Sequence, residues 1–217
     1  MPASRESYEQ RYKRMALIEE DLHGKGYLNL AGVDEAGRGP LAGPVVAAAC
    51  ILDPSKPILG LNDSKKLSEK RREALFEQIR EEALAYKIKA IPPARIDQIN
   101  ILEATKEAMT LALQELEAKP DFILLDAITL KAFPPEIQMS LVKGDARSNT
   151  IAAASILAKV SRDRYMIEMD EQYPGYGFSK HKGYGTKAHY EALDVLGPSP
   201  IHRKSFLRKW AEERKLR

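Results

Sequence analysis

Acidic residues stand where apolar runs stop. Asp34 and Glu35 close a run that begins at Leu28, Asp126 closes residues 122–125, and Asp145 follows residues 139–142 across Lys143-Gly144. An unpaired carboxylate at the end of a buried strand carries a large desolvation cost, so sequences tend to avoid it. If these strands converge at one edge of a sheet, the four groups come within a few ångströms of each other. Repulsion then raises their proton affinity unless a cation lies among them. Carboxylates without cysteine or clustered histidine are hard oxygen donors, which suit Mg²⁺ or Mn²⁺ better than Zn²⁺. Two such ions roughly 4 Å apart could activate a water and stabilise the leaving oxygen of an in-line phosphodiester hydrolysis. Adjacent strand residues point to opposite faces, so Asp34 and Glu35 share a centre only through a local twist or the longer reach of glutamate. The glycine turn that follows them permits that departure.

That turn, Gly37-Arg38-Gly39, offers backbone that a sugar–phosphate chain could approach closely, and Arg38 adds a guanidinium fork for a phosphate. Taken alone, Gly-Arg-Gly more often marks an ordinary turn. The elements that must hold these groups read as alternating strands and helices in one unit. Residues 28–34 and 44–52 are apolar and rich in Val, Ala and Ile, predicting two adjacent strands joined through the turn. Ser68 opens a helix expected to run through Ala85, with Leu75, Ile79 and Leu84 on one face, and residues 86–91 form a short strand ending at Pro92-Pro93. A second amphipathic helix is predicted over 101–118, a strand covered on both faces over 122–126, and a short strand over 139–142. The helix predicted over 150–169 begins with Ala152, Ala153, Ala154 and Ser155, small enough for close packing on a sheet. Ahead of this body, Tyr8, Tyr12, Met15 and Leu22 recur at roughly helical spacing, with Ser7 and Gln10 placed as a capping box and Gly24 as the stop. That helix packs on the body or forms a looser extension. The tail, an aromatic and glycine-rich stretch and a basic loop before helical patterns from Thr186 and His202, reads as a small helical annex.

At 217 residues, 44% hydrophobic and 30% charged, the chain can bury one substantial core. The 34 basic and 31 acidic residues leave a net charge of +3, too small to establish a nucleic-acid partner. Basic residues gather at Lys159, Arg162, Arg164, Lys180, Lys182 and Lys187 and again from Arg203 to Lys209, which as a bare pattern is a solvated face. The single cysteine, Cys50, excludes an internal disulfide and a cysteine-rich zinc cluster, and its apolar surroundings suit an inert thiol rather than a nucleophile. His23, His181, His189 and His202 lack zinc-ligand spacing. No apolar stretch approaches a membrane span, and the charged amino terminus has no apolar segment behind it; a cytoplasmic monomer is expected.

The motifs in combination are more specific than any one of them. Residues 33–44, VDEAGRGPLAGP, resemble the opening signature of the ribonuclease HII family. Asn62-Asp63-Ser64-Lys65-Lys66-Leu67-Ser68, Leu125-Asp126, Lys143-Gly144-Asp145, residues 152–163 (AAASILAKVSRD) and His181-Lys182-Gly183-Tyr184 resemble further family motifs in family order, covering most of 28–206. The resemblance implies a ribonuclease H-like α/β fold, a mixed sheet flanked by helices. Its expected divisions are an N-terminal helical extension (1–27), a catalytic core (28–172) and a C-terminal helical region completing the substrate groove (173–217).

The resemblance further implies a two-metal-ion endonuclease that hydrolyses the RNA strand of RNA–DNA hybrids and cuts 5′ of ribonucleotides embedded in duplex DNA, leaving 3′-hydroxyl and 5′-phosphate ends. Asp34, Glu35, Asp126 and Asp145 would hold Mg²⁺ or Mn²⁺. Gly37, Arg38 and Gly39 would contact the ribonucleotide and read its 2′-hydroxyl, and Tyr184 would pack on the sugar beside the cut. Lys65, Lys66, Lys180 and Lys182 are candidates for phosphate contacts, though any one also reads as a surface lysine. Asp163 is left open between touching metal and pairing with Arg162 or Lys159. After Asp126 this chain departs from the family pattern, with Ala127-Ile128 where a glycine-containing sequence is usual. Competing readings are a nuclease or integrase relative acting on DNA alone and a hybrid-binding protein without chemistry; retention of all four acidic residues argues against the second.

Overall fold

The computed structural model describes residues 6–215; residues 1–5 of the expected extension and 216–217 of the expected C-terminal region lie outside the described residues. In chain order the elements are α1 (Tyr8–Gly24), β1 (Leu30–Ala36), β2 (Val45–Ile51), α2 (Glu69–Glu82), β3 (Ala85–Ile91), α3 (Pro93–Ile99), α4 (Ile101–Gln114), β4 (Phe122–Asp126), β5 (Gln138–Leu141), α5 (Asn149–Gln172), α6 (Phe178–His181), α7 (Lys187–Leu196) and α8 (Arg208–Lys215). Among the described residues no helix is long and apolar enough to cross a membrane.

The strands form one mixed sheet in the order β3-β2-β1-β4-β5. β1 lies antiparallel to β2 and parallel to β4, and β4 lies parallel to β5. The carboxyl ends of β1, β4 and β5 therefore open at one edge, where ligands of such sheets bind. β2 is buried at every position. Val45, Ala47, Ala49 and Ile51 face a core shared with α3 and α4, while Val46, Ala48 and Cys50 face one shared with α2 and α5, the period-2 pattern of a strand covered on both sides.

The helix α5 lies unusually close to β1. A Cβ on Gly32 would stand 2.2 Å from the carbonyl carbon of Thr150, so only glycine admits this approach. The run of small residues 152–154, all buried, continues the contact. The first turn of α5 also anchors α1, whose Glu19 carboxylate accepts from Ser148 Oγ at 2.7 Å and from the Thr150 N–H at 3.1 Å. With Met15 and Leu22 buried beside it, α1 is packed on the body, and Ser7 and Gln10 form the expected capping box.

Several boundaries differ from expectation for local reasons. The second helix ends at Glu82 because Ala83 is extended and Ala85 pairs with Ile51, leaving Leu84 exposed instead of on a buried face. Pro93 starts a helix, α3, that the Pro-Pro pair concealed, since proline is well tolerated in a first turn. Asn100, at φ +69°, then breaks the chain and caps α4, which stops at Gln114 rather than Ala118. His202 makes an isolated bridge with Ala42, residues 204–207 form turns, and α8 begins only at Arg208.

If the Gly32 contact sets the distance between α5 and the sheet, Gly32→Ala should cost about 3 kcal/mol, the upper range for overpacking, because backbone must move. The shift in urea midpoint measures this. A loss within about 0.5 kcal/mol, as for an ordinary surface change, would show that the contact opens freely.

Candidate active site

Asp34, Asp126 and Asp145 each offer a carboxylate oxygen, and these oxygens all lie within 4.8 Å of one another. β1 and β4 bring the first two together, because their parallel register sets Val33 beside Leu125. Asp34 is 5% exposed, and its Oδ1 accepts the Glu35 N–H at 2.7 Å. Ser155 of α5, which lines the same cleft as Asp34, bonds with Ser64 at 3.0 Å. Asp126 Oδ1 accepts the Gly144 N–H at 2.8 Å. That bond fixes the tight turn after β5, where Lys143 takes a left-handed conformation and Asp145 is delivered to the site.

Burial pushes the Asp34 carboxyl well above the usual range, with the charge of Glu35 next in effect and Asp126 adding to it. Asp145 is raised to about 6, first by burial and then by Asp63 and Asp126. Asp63, within the Asn-Asp-Ser-Lys-Lys motif but not singled out from sequence, is thus near enough for its charge to act on Asp145. Glu35 stands outside the close set of three. Its Oε1 meets Arg38 at 3.5 Å, its buried Oε2 has no hydrogen-bond partner, and burial raises it against the pull of Arg38. A set of hard, crowded carboxylates whose charges repel, with an orphaned carboxylate oxygen beside them, fits divalent cations.

Asp34 and Glu35 open on a cleft of about 320 Å³ whose wall also includes Gly37, Arg38, Gly39, Lys65, Lys159 and Tyr184. Tyr184 is 46% exposed, and a Cβ on Gly39 would stand 3.7 Å from its ring, so turn and ring form two sides of a narrow slot. The other candidate lysines stand apart from this wall. Lys66 lines a separate groove with Arg11 and Arg71. Lys180 lies on the short helix α6, and Lys182 turns its ammonium onto the Ser179 carbonyl. Asp163 pairs with Lys159 at 2.7 Å, which settles its nearest partner as a base.

Beyond the slot, His189 and His202 meet Nε2 to Nε2 at 2.9 Å, a cluster that their spacing does not announce. His189 Nδ1 bonds to the Tyr184 carbonyl and His202 Nδ1 accepts the Ser199 N–H, so every ring nitrogen of the pair is engaged. Burial lowers both to about 4.

Two predictions follow from this geometry. Because Asp34, Glu35 and Asp145 have raised values, the metal-free protein binds extra protons in the folded state, and its stability falls as pH rises from about 4 through 6 and beyond. Mg²⁺ or Mn²⁺ at a hundredfold excess over Kd should restore about 2.7 kcal/mol, or about 5–10 °C in Tm. The increment should shrink below pH 5 and vanish in Asp34→Asn, which itself melts higher than the parent without metal; a metal-induced shift that survives Asp34→Asn contradicts the assignment. The second concerns Ala127, which adopts φ +53° directly after Asp126. A left-handed alanine costs about 1–2 kcal/mol, whereas glycine in its place loses about 0.4–1 kcal/mol through the unfolded chain. Ala127→Gly should therefore stabilise by up to about 1.5 kcal/mol in urea unfolding, and a destabilised variant would show that this backbone is not strained.

Comparison with known proteins bears on this site. A family profile described as Ribonuclease HII matches residues 31–209. A protein named Ribonuclease HII from Shouchella clausii is 55% identical over 197 residues, covering 91% of this chain and 75% of the relative. One of the same name from Listeria monocytogenes is 56% identical over 194 residues, covering 89% and 74%. The crystal structure of the ribonuclease H2 from Pyrococcus horikoshii superposes with a TM-score of 0.72 at 29% identity, covering 88% of this chain and all of that one.

Proposed function

The chain belongs to the ribonuclease HII family, and on that premise we propose that it is a divalent-metal-dependent endonuclease that hydrolyses the RNA strand of RNA–DNA hybrids and cuts 5′ of ribonucleotides embedded in duplex DNA. The observation that carries the proposal is the position of Asp34, which belongs to a cluster of three converging carboxylates and also lines a cleft with Glu35, the glycine turn and an exposed tyrosine. Water adds to the phosphorus on the 5′ side of the ribonucleotide as the bond from phosphorus to the upstream 3′-oxygen breaks. The products are a 3′-hydroxyl and a 5′-phosphate.

Asp34, Asp126 and Asp145 hold the metals, Mg²⁺ or Mn²⁺, and Glu35 completes the set through the oxygen that has no partner in the fold. When bound, two such cations supply a lowered pKa for water and neutralise charge developing on the leaving oxygen. The chain's own groups position the strand. The Gly37-Arg38-Gly39 turn faces the ribonucleotide, Tyr184 packs against its sugar from the other side of the slot, and Lys65 contacts a phosphate near the cut. Lys66, Lys180 and Lys182 serve phosphates farther along the duplex. In this reading residues 28–172 are the catalytic core, 173–217 complete the groove, and 1–27 are an N-terminal extension whose helix α1 packs on the core.

Asp126→Asn should lower kcat on a duplex with one embedded ribonucleotide by about a thousandfold or more, equivalent to several kcal/mol of transition-state stabilisation, while binding of hybrid is kept. Cleavage by the parent must require divalent metal and spare an all-DNA duplex. Turnover by the mutant near the parent rate contradicts the assigned site, and equal cleavage of all-DNA duplex would favour a DNA nuclease on the same fold.

A further inference from the structure

Two arginines lie beneath the glycine turn. Arg162 of α5 is 1% exposed and Arg203 is 0% exposed. Neither makes an ion pair among the described residues; burial lowers the pKa of each, yet a guanidinium keeps its proton at neutral pH. Such a charge is tolerable only when its donors are all satisfied. Here the acceptors are main-chain carbonyls. Arg162 donates to Pro44 at 3.0 Å, Lys182 at 3.0 Å and Ala42 at 3.0 Å. Arg203 donates to Gly43 at 2.9 Å, Arg38 at 3.0 Å and Gly37 at 2.6 Å. Apart from Lys182, two residues before Tyr184, these acceptors belong to residues 37–44.

The contact is tight as well as polar. A Cβ on Gly37 would stand 2.1 Å from Arg162 Nε, so the glycine is what lets the guanidinium sit beneath the turn. No peptide bond among the described residues is cis, and in a trans peptide the C=O and the following N–H point to opposite sides. With the carbonyls of Gly37 and Arg38 drawn inward onto Arg203, the N–H groups of Arg38 and Gly39 must face outward. Neither N–H has a partner among the described residues, and both residues form part of the cleft wall. A charge-assisted bond at the carbonyl also polarises the peptide and strengthens its N–H as a donor.

Resting on the function proposed above, we propose that Arg203, with Arg162 beside it, is a specificity-determining positioning residue: by fixing the peptide planes 37–38 and 38–39 from below, it aims two N–H donors at the ribose 2′-oxygen. The same pair joins the turn to the loop carrying Tyr184 through the Lys182 carbonyl, so both sides of the slot move as one piece. Lysine keeps the charge but lacks the planar fork, so it cannot hold three carbonyls in fixed directions.

The test measures binding in an Asp126→Asn background, where nothing is cut. Affinity is compared for two duplexes of one sequence, one containing a single ribonucleotide and the other all DNA. The parent should bind the first more tightly; if it does not, the functional reading itself fails. Arg203→Lys and Arg162→Lys, each added to that parent and shown to be folded by thermal unfolding, should reduce the ribonucleotide-to-DNA affinity ratio by about tenfold with all-DNA affinity unchanged. A general loss of structure would lower both affinities together. A folded Arg203→Lys that keeps the parent ratio overturns the inference. Should these variants unfold, the parent's amide resonances decide. The Arg38 and Gly39 N–H signals should move on adding the ribonucleotide duplex and stay on adding the all-DNA duplex, and equal responses to both overturn the inference.

Discussion

Like charges crowded into a poorly solvated place dominate this molecule. Asp34, Asp126 and Asp145 approach within 4.8 Å at the edge of a sheet, with Glu35 and Asp63 close enough to be felt. Left without cations, they take up protons above the normal carboxylate range, which opposes folding at neutral pH. The fold must hold them there by other means. β1, β4 and β5 run parallel and end together, Gly32 lets α5 close on β1, and the N–H groups of Gly144 and Glu35 fix two of the carboxylates from the side. Stability given up at such a site is common where function needs a destabilised centre.

Charge of the opposite sign is buried on the other side of the same cleft. Arg162 and Arg203 are satisfied by backbone carbonyls instead of carboxylates, so they do not neutralise the acidic centre. The net charge of +3 conceals this separation. A groove with a concentrated negative focus for cations and a donor-lined turn next to it suits a polyanion whose scissile phosphate must reach metal while its sugar is read.

What could be read from sequence was whatever depends on short range. Strands β1, β2 and β4 are largely apolar runs, and the acidic ends of β1 and β4 mark the site because such endings are costly without a purpose. The departure from the family pattern at Ala127-Ile128 was also visible, and the left-handed φ of Ala127 shows a backbone that a glycine would adopt without strain. Other features were hidden because their meaning is tertiary. Pro92-Pro93 reads as a terminator, and only the following backbone shows that it opens α3. Asp63 matters through Asp145, far off in sequence. Arg203 reads as one more tail cation until the turn is seen resting on it, and His189 and His202, thirteen residues apart, become a pair only when α7 and the tail fold together.

The most direct test of the account is to count the protons released when Mn²⁺ binds, using calorimetry near pH 6 in two buffers of different ionisation enthalpy. Carboxylates raised by burial and repulsion must give up protons to take a cation, so binding at pH 6 should release protons, with less release at pH 8 and less in Asp145→Asn. Binding without proton release at pH 6, or with affinity unchanged in Asp145→Asn, would mean that these acidic groups are not the ones that hold the metal.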